Sequence, residues 1–255
     1  MALTPRIAAV SYLNTIPFIY GIRHEGNLRA ELLLTPPALC AQNFIDGNAD
    51  IALLPSAVVP ELKGAELITD FCIGADEEVR TVVVVSNTPI EEVRRVWLDA
   101  HSRTSVQLAG YLAAKKWKIA PEWLAMSDYT VLDTPRDGDA FLLIGDKVFD
   151  HEDEFIYSYD LAAEWHEATG MPFVFAVWVA RKGMPFEVTD ALEDALTFGV
   201  ERIYEAILES DYRDRPYAYD YLTRNIDFLF DNEKRKALQK FWTSGIKVSP
   251  RVEPG

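Results

Sequence analysis

The sequence predicts an α/β protein with two lobes and a ligand cleft between them, and three observations support this fold class. Short apolar runs alternate with helical patterns along the 255 residues, which is typical of helices packed on largely parallel sheets. Two apolar runs, Thr81–Ser86 and Phe173–Arg181, are longer and more continuous than the others. The stretch between them has the size of a small domain. We therefore expect a second lobe inserted into the first, with these two runs as the strands that cross between lobes.

The predicted domain boundaries follow from the same two runs. Lobe one is expected to comprise residues 1–84 together with 177–255, and the inserted lobe two residues 85–176. Short, bounded apolar runs predict further strands at Arg6–Val10, Glu31–Leu34, Asp50–Leu54, Val96–Asp99 and Phe141–Ile144. Apolar residues at helical spacing predict helices after Pro36, from Val106 to Trp117, from Val188 to Ile207, and near Tyr217–Arg224 and Glu233–Ile246.

The composition excludes several classes of partner. The chain carries 25 Lys and Arg against 40 Asp and Glu, a net charge of −15, so it should repel nucleic-acid backbones and anionic membranes. The N-terminal stretch does not have the pattern of a signal peptide, and no apolar run is long enough to span a membrane. We therefore expect a cytoplasmic protein. The two cysteines predict neither a disulfide framework nor a metal site.

Polar turns recur where predicted strands lead into predicted helices. In open α/β sheets this is where ligands bind, because helix N-termini direct free N–H groups there. The residues in these turns are Ser11, Asn14, Thr15, Ser56, Arg103, Thr104, Ser105, Gly145 and Asp146, and Thr81 opens a crossing strand near the expected hinge. Neutral hydroxyl and amide donors suit carboxylates or phosphates better than metals. Helix capping alone is the competing explanation for each single turn, since Ser, Thr, Asn and Asp are all good N-caps.

Five segments in order resemble the chorismate dehydratase family of the futalosine route to menaquinone: "VSYLNTIPFIYG", "GNADIALLPSAVV", "PIEEVRRVWLDAHSRTSVQLAGYL", "LLIGDKV" and "YDLAAEWHEATGMPFVFAVWVAR". The resemblance implies a type II periplasmic-binding-protein-like fold used by a cytoplasmic enzyme without a cofactor or metal. It implies the conversion of chorismate to 3-(1-carboxyvinyloxy)benzoate and water. No nucleotide-binding, hydrolase or redox motif competes with this interpretation.

The resemblance also implies roles for the polar turns. Asn14 would act at the reacting carbons, and Thr81 stands where the family pattern has Ser. Asp146 would be a reserve candidate for proton transfer to the leaving hydroxyl. The substrate's own enolpyruvyl carboxylate would serve as the base. The substrate-binding residues would be Ser11, Thr15, Ser56, Arg103, Thr104, Ser105 and Gly145.

Two other functions remain open at this point. One is 1,4-dihydroxy-6-naphthoate synthase of the same pathway, although its expected N-terminal signature differs from "SYLNT". The other is a non-catalytic, cytoplasmic solute-binding module for a small carboxylate, because one fold supports many functions. In each case the expected partner is a small molecule, with no nucleic acid or membrane, and the protein is expected to be a monomer or homodimer.

Overall fold

The computed structural model describes residues 4–99, 102–145 and 147–252. Within these ranges the strands are β1 Arg6–Val10, β2 Glu31–Thr35, β3 Ile51–Pro55, β4 Ala65–Ala75, β5 Val82–Ser86, β6 Arg95–Asp99, β7 Glu122–Met126, β8 Asp139–Ile144, β9 Tyr157–Asp160, β10 Phe173–Arg181 and β11 Asp227–Leu229. The α-helices are α1 Ile16–His24, α2 Pro37–Ile45, α3 Arg103–Leu112, α4 Lys147–His151, α5 Leu161–Thr169, α6 Phe186–Val200, α7 Ile203–Glu209, α8 Arg215–Arg224 and α9 Asn232–Thr243.

The chain forms two compact units, each with its own sheet. Unit 1 comprises the residues up to Gly74 together with Val174–Arg235, and unit 2 comprises Ala75–Phe173 and the residues from Lys236 onwards. These bounds differ from the predicted 1–84 plus 177–255 and 85–176, mainly because the C-terminal segment belongs to unit 2. In that segment Phe241 packs its ring against Phe173, with ring centroids 5.1 Å apart.

Unit 1 is built on a six-stranded mixed sheet with the order β11-β4-β10-β3-β1-β2. Strand β1 is parallel to both β2 and β3, and β10 runs antiparallel to β3. The residues of β1 from Ile7 to Val10 are buried, as expected for a strand covered by helices on both faces. The strands predicted at Arg6–Val10, Glu31–Leu34 and Asp50–Leu54 are therefore confirmed to within a residue at each end.

Helices α1 and α6 of unit 1 cross at two glycines. A Cβ atom on Gly21 would lie 1.8 Å from the Ala195 carbonyl oxygen, and one on Gly199 would lie 1.9 Å from that of Pro17. Neither position can therefore hold a side chain at this helix separation. This contact matters for the candidate site, because α1 begins directly after the Ser11–Thr15 turn.

Unit 2 is built on a five-stranded sheet with the order β7-β6-β8-β5-β9. Strand β6 is parallel to β7 and β8, whereas β5 runs antiparallel to β8 and β9. Its core includes Val83, Trp97 and Phe141. Near the C-terminus, the backbone N–H of Arg251 donates to the Trp123 carbonyl at 2.8 Å, so the end of the chain pairs with β7.

One crossing strand was predicted in the wrong place. The run Thr81–Ser86 was expected to connect the lobes, but β5 lies wholly within unit 2 between β8 and β9. It is continuously apolar because all five of its residues are buried. The chain instead passes from unit 1 to unit 2 at the end of β4, between Gly74 and Ala75. The other predicted crossing, at the start of Phe173–Arg181, agrees with the structure.

Four strands carry no clear signal in the sequence: β4, β7, β9 and β11. The first half of β4 is largely exposed and mixes charged with apolar residues, and β7, β9 and β11 end their sheets. Edge strands need no continuous apolar run, because one side is not covered by a neighbouring strand. Of the helices in the described part of the chain, none has the length and apolar character required to cross a membrane.

Candidate functional site

Each unit gathers its predicted site residues at one edge of its own sheet. In unit 1, β1 and β3 are parallel with Ala8 opposite Ala52, so their carboxyl ends meet at the same edge. In unit 2, β6 and β8 are parallel with Leu98 opposite Leu142, and their carboxyl ends also meet. The predicted polar turns follow these four strand ends, as expected for binding sites in open α/β sheets.

The Ser11–Thr15 turn at the unit 1 edge is held by the side chain of Thr15. The Thr15 hydroxyl donates to the Val10 carbonyl at 2.6 Å and accepts the N–H of Tyr12 at 3.2 Å. Thr15 is 2% exposed. Asn14, in the 3-10 turn Leu13–Thr15, is half-buried, and Ser11 is exposed. Thr15 therefore fixes the backbone of the turn, in which Ser11 and Tyr12 are exposed and Asn14 is half-buried.

Ser56 stands at the end of β3 and is completely buried. Its hydroxyl donates to the Val174 carbonyl at 2.6 Å, which belongs to β10, the antiparallel neighbour of β3. This hydrogen bond joins the two strands at their ends. The only proton of the Ser56 hydroxyl is therefore already donated to the backbone in this structure.

Helix α3 begins at the unit 2 edge, and Ser102 caps it. The Ser102 hydroxyl accepts the N–H of Ser105 at 3.3 Å, the usual bond of an N-cap. Thr104 and Ser105 are buried, whereas Arg103 is exposed. Among residues 4–99, 102–145 and 147–252, Arg103 forms no ion pair.

The structure also brings Thr81 and Gly145 together at the unit 2 edge. The pairing of Val82 with Ile144 places them opposite each other, and the Gly145 N–H donates to the Thr81 carbonyl at 2.8 Å. Gly145 has φ +65°, a left-handed conformation that glycine adopts without strain. Thr81 is 4% exposed. Asp146, the reserve proton donor, lies outside the described residues.

The chain matches the model of one protein family over most of its length. The model for menaquinone biosynthesis matches residues 5–245. The chain belongs to the menaquinone biosynthesis family. The match to this family includes every candidate residue from Ser11 to Gly145. A curated relative, the chorismate dehydratase of Thermus thermophilus, is 24% identical over 267 residues, covering 95% of this chain and 96% of the relative.

Solved structures agree with this family on the fold. An Archaeoglobus fulgidus protein superposes with a TM-score of 0.71 at 18% identity, over 94% of this chain and 96% of that one. A Candida albicans protein described as exhibiting the generic periplasmic binding protein fold has a TM-score of 0.64 at 12% identity, over 97% and 92%. The Escherichia coli periplasmic aliphatic sulphonate binding protein gives 0.61 at 13%, over 96% and 92%. This member of the menaquinone biosynthesis family therefore has a periplasmic-binding-protein-like fold.

Three residues that the sequence reasoning missed lie at the unit 2 edge of this family member. Asp99, the last residue of β6, is 2% exposed and accepts a hydrogen bond from the Tyr129 hydroxyl. The Lys147 ammonium lies 3.7 Å from the Asp99 carboxylate and 3.9 Å from the centre of the Tyr129 ring. Of these three, only Asp99 could have been recognised from the sequence, because it is a charged residue at the end of an apolar run. The other two come from distant segments, and Lys147 adds a cation to this edge.

Neither cysteine of this family member has the character of a nucleophile. Cys40 and Cys72 are buried. Burial raises the pKa of Cys40 to about 12, and it likewise raises the pKa of Cys72. Both thiols stay protonated at neutral pH, and a protonated thiol is a poor nucleophile. Within the described residues, no group of three or more His, Cys, Asp or Glu side chains is placed to hold a metal ion.

Proposed function

We propose that this member of the menaquinone biosynthesis family is a chorismate dehydratase, a lyase that converts chorismate to 3-(1-carboxyvinyloxy)benzoate and water. The observation that carries the proposal is the match to the Thermus thermophilus chorismate dehydratase, which extends over almost the whole of both chains. The polar edges of the two sheets supply donors of the kind that such a substrate requires.

The chemistry of the substrate agrees with the character of these edges. Chorismate carries two carboxylates, and a protein with a net charge of −15 needs locally placed donors to bind a dianion. The first turn of α3 offers backbone N–H groups beside the exposed Arg103. At the same edge the Lys147 ammonium lies 3.7 Å from the Asp99 carboxylate, which compensates its charge. We therefore assign Arg103, Thr104, Ser105 and Gly145 to binding the substrate carboxylates, and Ser11 is assigned to substrate binding as well.

The proposed reaction is an elimination through a carbanion. The proton leaves the ether-bearing ring carbon, which is vinylogous to the ring carboxylate, and the electron pair of that C–H bond is delocalised onto the carboxylate. Donors on this carboxylate stabilise the resulting dienolate. The neighbouring C–O bond then breaks, the hydroxyl departs as water after gaining a proton, and the ring becomes aromatic.

The proposed base is the enolpyruvyl carboxylate of the substrate itself. The protein then acts mainly by holding the reactive conformer, and such orientation is worth about 7–11 kcal/mol in favourable cases. Asn14 is the proposed catalytic residue at the reacting carbons, because it is a half-buried amide in the turn that follows β1 and that the Thr15 hydroxyl holds. Thr81 is assigned to the same step, and Asp146 remains the candidate donor to the leaving hydroxyl.

We place the reaction in the cytoplasm, where an enzyme of menaquinone biosynthesis meets its metabolite substrate, and expect the protein to act as a monomer or homodimer. Sedimentation of the purified protein at two concentrations distinguishes these oligomeric states. A dimer that dissociates on dilution without change in specific activity would leave the single chain as the functional unit.

The deciding experiment mixes the purified protein with chorismate, without added metal or nucleotide, and follows the products by chromatography and mass spectrometry. We expect an aromatic product lighter than chorismate by one water. Protein carrying Asn14→Ala, purified in the same way, controls for contaminating enzymes. Stabilisation by chorismate without turnover would instead identify a solute-binding module. If chorismate is neither converted nor stabilises the protein, chorismate is rejected as the ligand. The naphthoate synthase of the same pathway then becomes the favoured function.

A further inference from the structure

The residue before Thr81 has an unfavourable backbone conformation. Arg80 has φ +66°, and Lys118 is the other non-glycine residue with positive φ in the described ranges. A residue with a Cβ atom is disfavoured in this left-handed region, so surrounding contacts must hold it there. Arg80 is half-buried, and its guanidinium lies 4.0 Å from the Glu78 carboxylate.

The side chain of Asp160 constrains the backbone at Arg80 directly. Its carboxylate accepts the N–H of Arg80 at 2.6 Å and that of Val79 at 3.1 Å. The same carboxylate caps α5 by accepting the N–H groups of Ala162 and Ala163 at 2.9 and 3.1 Å. Four backbone N–H groups from two segments of the chain therefore converge on one carboxylate.

Helix capping alone does not explain this arrangement. A cap needs only the two bonds to α5, and the bonds to Val79 and Arg80 reach across about eighty positions of sequence to the turn before β5. The pairing of β5 with β9 places Asp160 opposite Val83, which brings its carboxylate within reach of that turn. Burial raises the pKa of Asp160, and its bonds to the backbone N–H groups act in the opposite direction. A buried carboxylate is costly unless it is bonded in this way.

The turn that Asp160 holds leads directly into the candidate site. Arg80 is followed by Thr81, whose carbonyl accepts the N–H of Gly145. A change of φ at Arg80 would rotate the chain that enters β5 and so displace Thr81 from this contact. Small displacements of groups at a reacting centre are costly in rate, because orientation supplies much of the catalysis.

We propose that Asp160 is a positioning residue for the dehydration: it holds Arg80 in the left-handed conformation and thereby sets Thr81 at the unit 2 edge. This inference rests on the proposed function, in which Thr81 takes part in the reaction. Asp160 does not touch the substrate. It acts through Thr81, and this indirect action is what the experiment must distinguish from an effect on stability.

A double-mutant cycle on kcat/KM for chorismate tests the proposal. We expect Thr81→Ala to lower kcat/KM about 100-fold and Asp160→Asn to lower it about tenfold. If Asp160 acts through Thr81, adding Asp160→Asn to Thr81→Ala lowers kcat/KM by no more than about twofold. Losses that multiply, giving a double variant about 1000-fold below wild type, would overturn the proposal, because Asp160 would then act independently of Thr81.

A second pair of variants leaves Asp160 intact, in case Asp160→Asn does not fold. Arg80→Gly should keep wild-type activity, because glycine adopts the left-handed conformation without strain. Arg80→Val should lose about as much activity as Asp160→Asn, because a β-branched residue is strongly disfavoured there. The combination of Arg80→Gly with Asp160→Asn should recover most of the lost activity. Equal activities of Arg80→Gly and Arg80→Val would overturn the proposal.

The matched control is Glu25→Gln, another carboxylate that accepts two backbone N–H groups, from Asn27 at 2.8 Å and Leu28 at 3.1 Å. Glu25 follows the C-terminal end of α1, away from the Ser11–Thr15 turn. Its replacement by Gln should leave kcat/KM unchanged. Turnover by the wild-type protein distinguishes a failure of the proposed function from a failure of the role of Asp160. Wild-type protein without turnover would overturn the proposed function and, with it, the role of Asp160. Turnover with a cycle that shows independent effects would overturn the role of Asp160 alone.

Discussion

In unit 1 the hydroxyl groups of Thr15 and Ser56 donate hydrogen bonds to the carbonyls of Val10 and Val174, whereas in unit 2 the Ser102 hydroxyl accepts the N–H of Ser105. The two buried hydroxyls of unit 1 thus donate to backbone carbonyls, whereas Ser102 accepts a backbone N–H, as Thr15 also does from Tyr12. A buried hydroxyl has one proton, and once a backbone carbonyl takes it the group serves the fold. A capping hydroxyl instead accepts one of the N–H groups that a helix start leaves without an intrahelical partner.

The comparison divides the predicted site residues by role. In unit 1 the buried hydroxyls of Thr15 and Ser56 donate to the backbone, and Asn14 is half-buried. In unit 2 Ser102 caps α3, Arg103 is exposed, and the Lys147 ammonium lies 3.7 Å from the Asp99 carboxylate. We infer that the Asn14 amide acts in catalysis, whereas the start of α3 binds an anion. The predictions below test this division, beginning with the largest expected effect.

Replacing Asn14 by Ala should have the largest effect. We expect kcat for chorismate to fall by about 10³-fold, the loss that follows removal of one donor at a reacting centre. The melting temperature should stay close to that of the wild type, because Thr15 rather than Asn14 braces the turn. Asn48→Ala, an exposed asparagine in the Gly47–Asp50 stretch, is the matched control and should leave both quantities unchanged. Wild-type kcat in Asn14→Ala would remove Asn14 from the mechanism.

Replacing Ser56 by Ala should affect stability rather than substrate binding. The variant leaves the buried Val174 carbonyl without its hydroxyl donor, which should lower the free energy of unfolding by about 2 kcal/mol. Ser86→Ala is a close control, since the buried Ser86 hydroxyl donates to the Asp139 carbonyl at the same 2.6 Å. Denaturant unfolding should give similar losses for both, with KM unchanged. A KM that rises in Ser56→Ala alone would show that Ser56 binds substrate after all.

Replacing Ser102 by Ala should moderately lower the free energy of unfolding and moderately raise KM. Loss of the N-cap of α3 should lower the free energy of unfolding by about 1 kcal/mol and raise KM by about three- to tenfold, since the helix start is less ordered. Asp214→Ala removes the N-cap of α8, where the Asp214 carboxylate accepts the N–H of Tyr217 at 3.1 Å. This control should lose similar stability at constant KM. Equal KM values in the two variants would contradict the assignment of the α3 start to substrate binding.

The smallest effect is expected at the opposite edge of the unit 1 sheet. The Arg6 guanidinium, bonded to Asp50 at 2.8 and 3.0 Å, lowers the pKa of that carboxyl below its ordinary 3.8. A lowered folded-state pKa adds stability above the unfolded pKa, and this stability disappears as the pH falls through the folded value. Asp50→Asn should therefore lose about 1 kcal/mol at pH 7, and the difference from wild type should shrink below about pH 4. Denaturant unfolding of the variant and the wild type at pH 7 and below about pH 4 measures this difference. Turnover of the variant at pH 7 should be unchanged.

The sequence predicted those parts of the fold that have a continuous local signal. The strand Arg6–Val10 is an apolar run between polar residues, and it is buried as such a run predicts. Strand β4 was missed because its first half is exposed and carries charged residues. The run before Ser86 was recognised as a strand but misplaced as a crossing, since apolar character reports burial and not which neighbours a strand has.

For the site, the sequence alone determined which turns are polar and, through five ordered segments, which family they resemble. Only the tertiary structure decided what each polar group bonds to. Hydrogen-bond partners such as Ser56 with Val174, or Asp160 with Arg80, are 118 and 80 positions apart. Local sequence fixes the type of a side chain and the tendency of its backbone. Whether its hydroxyl or carboxylate serves the fold or a ligand depends on neighbours that strand pairing brings together.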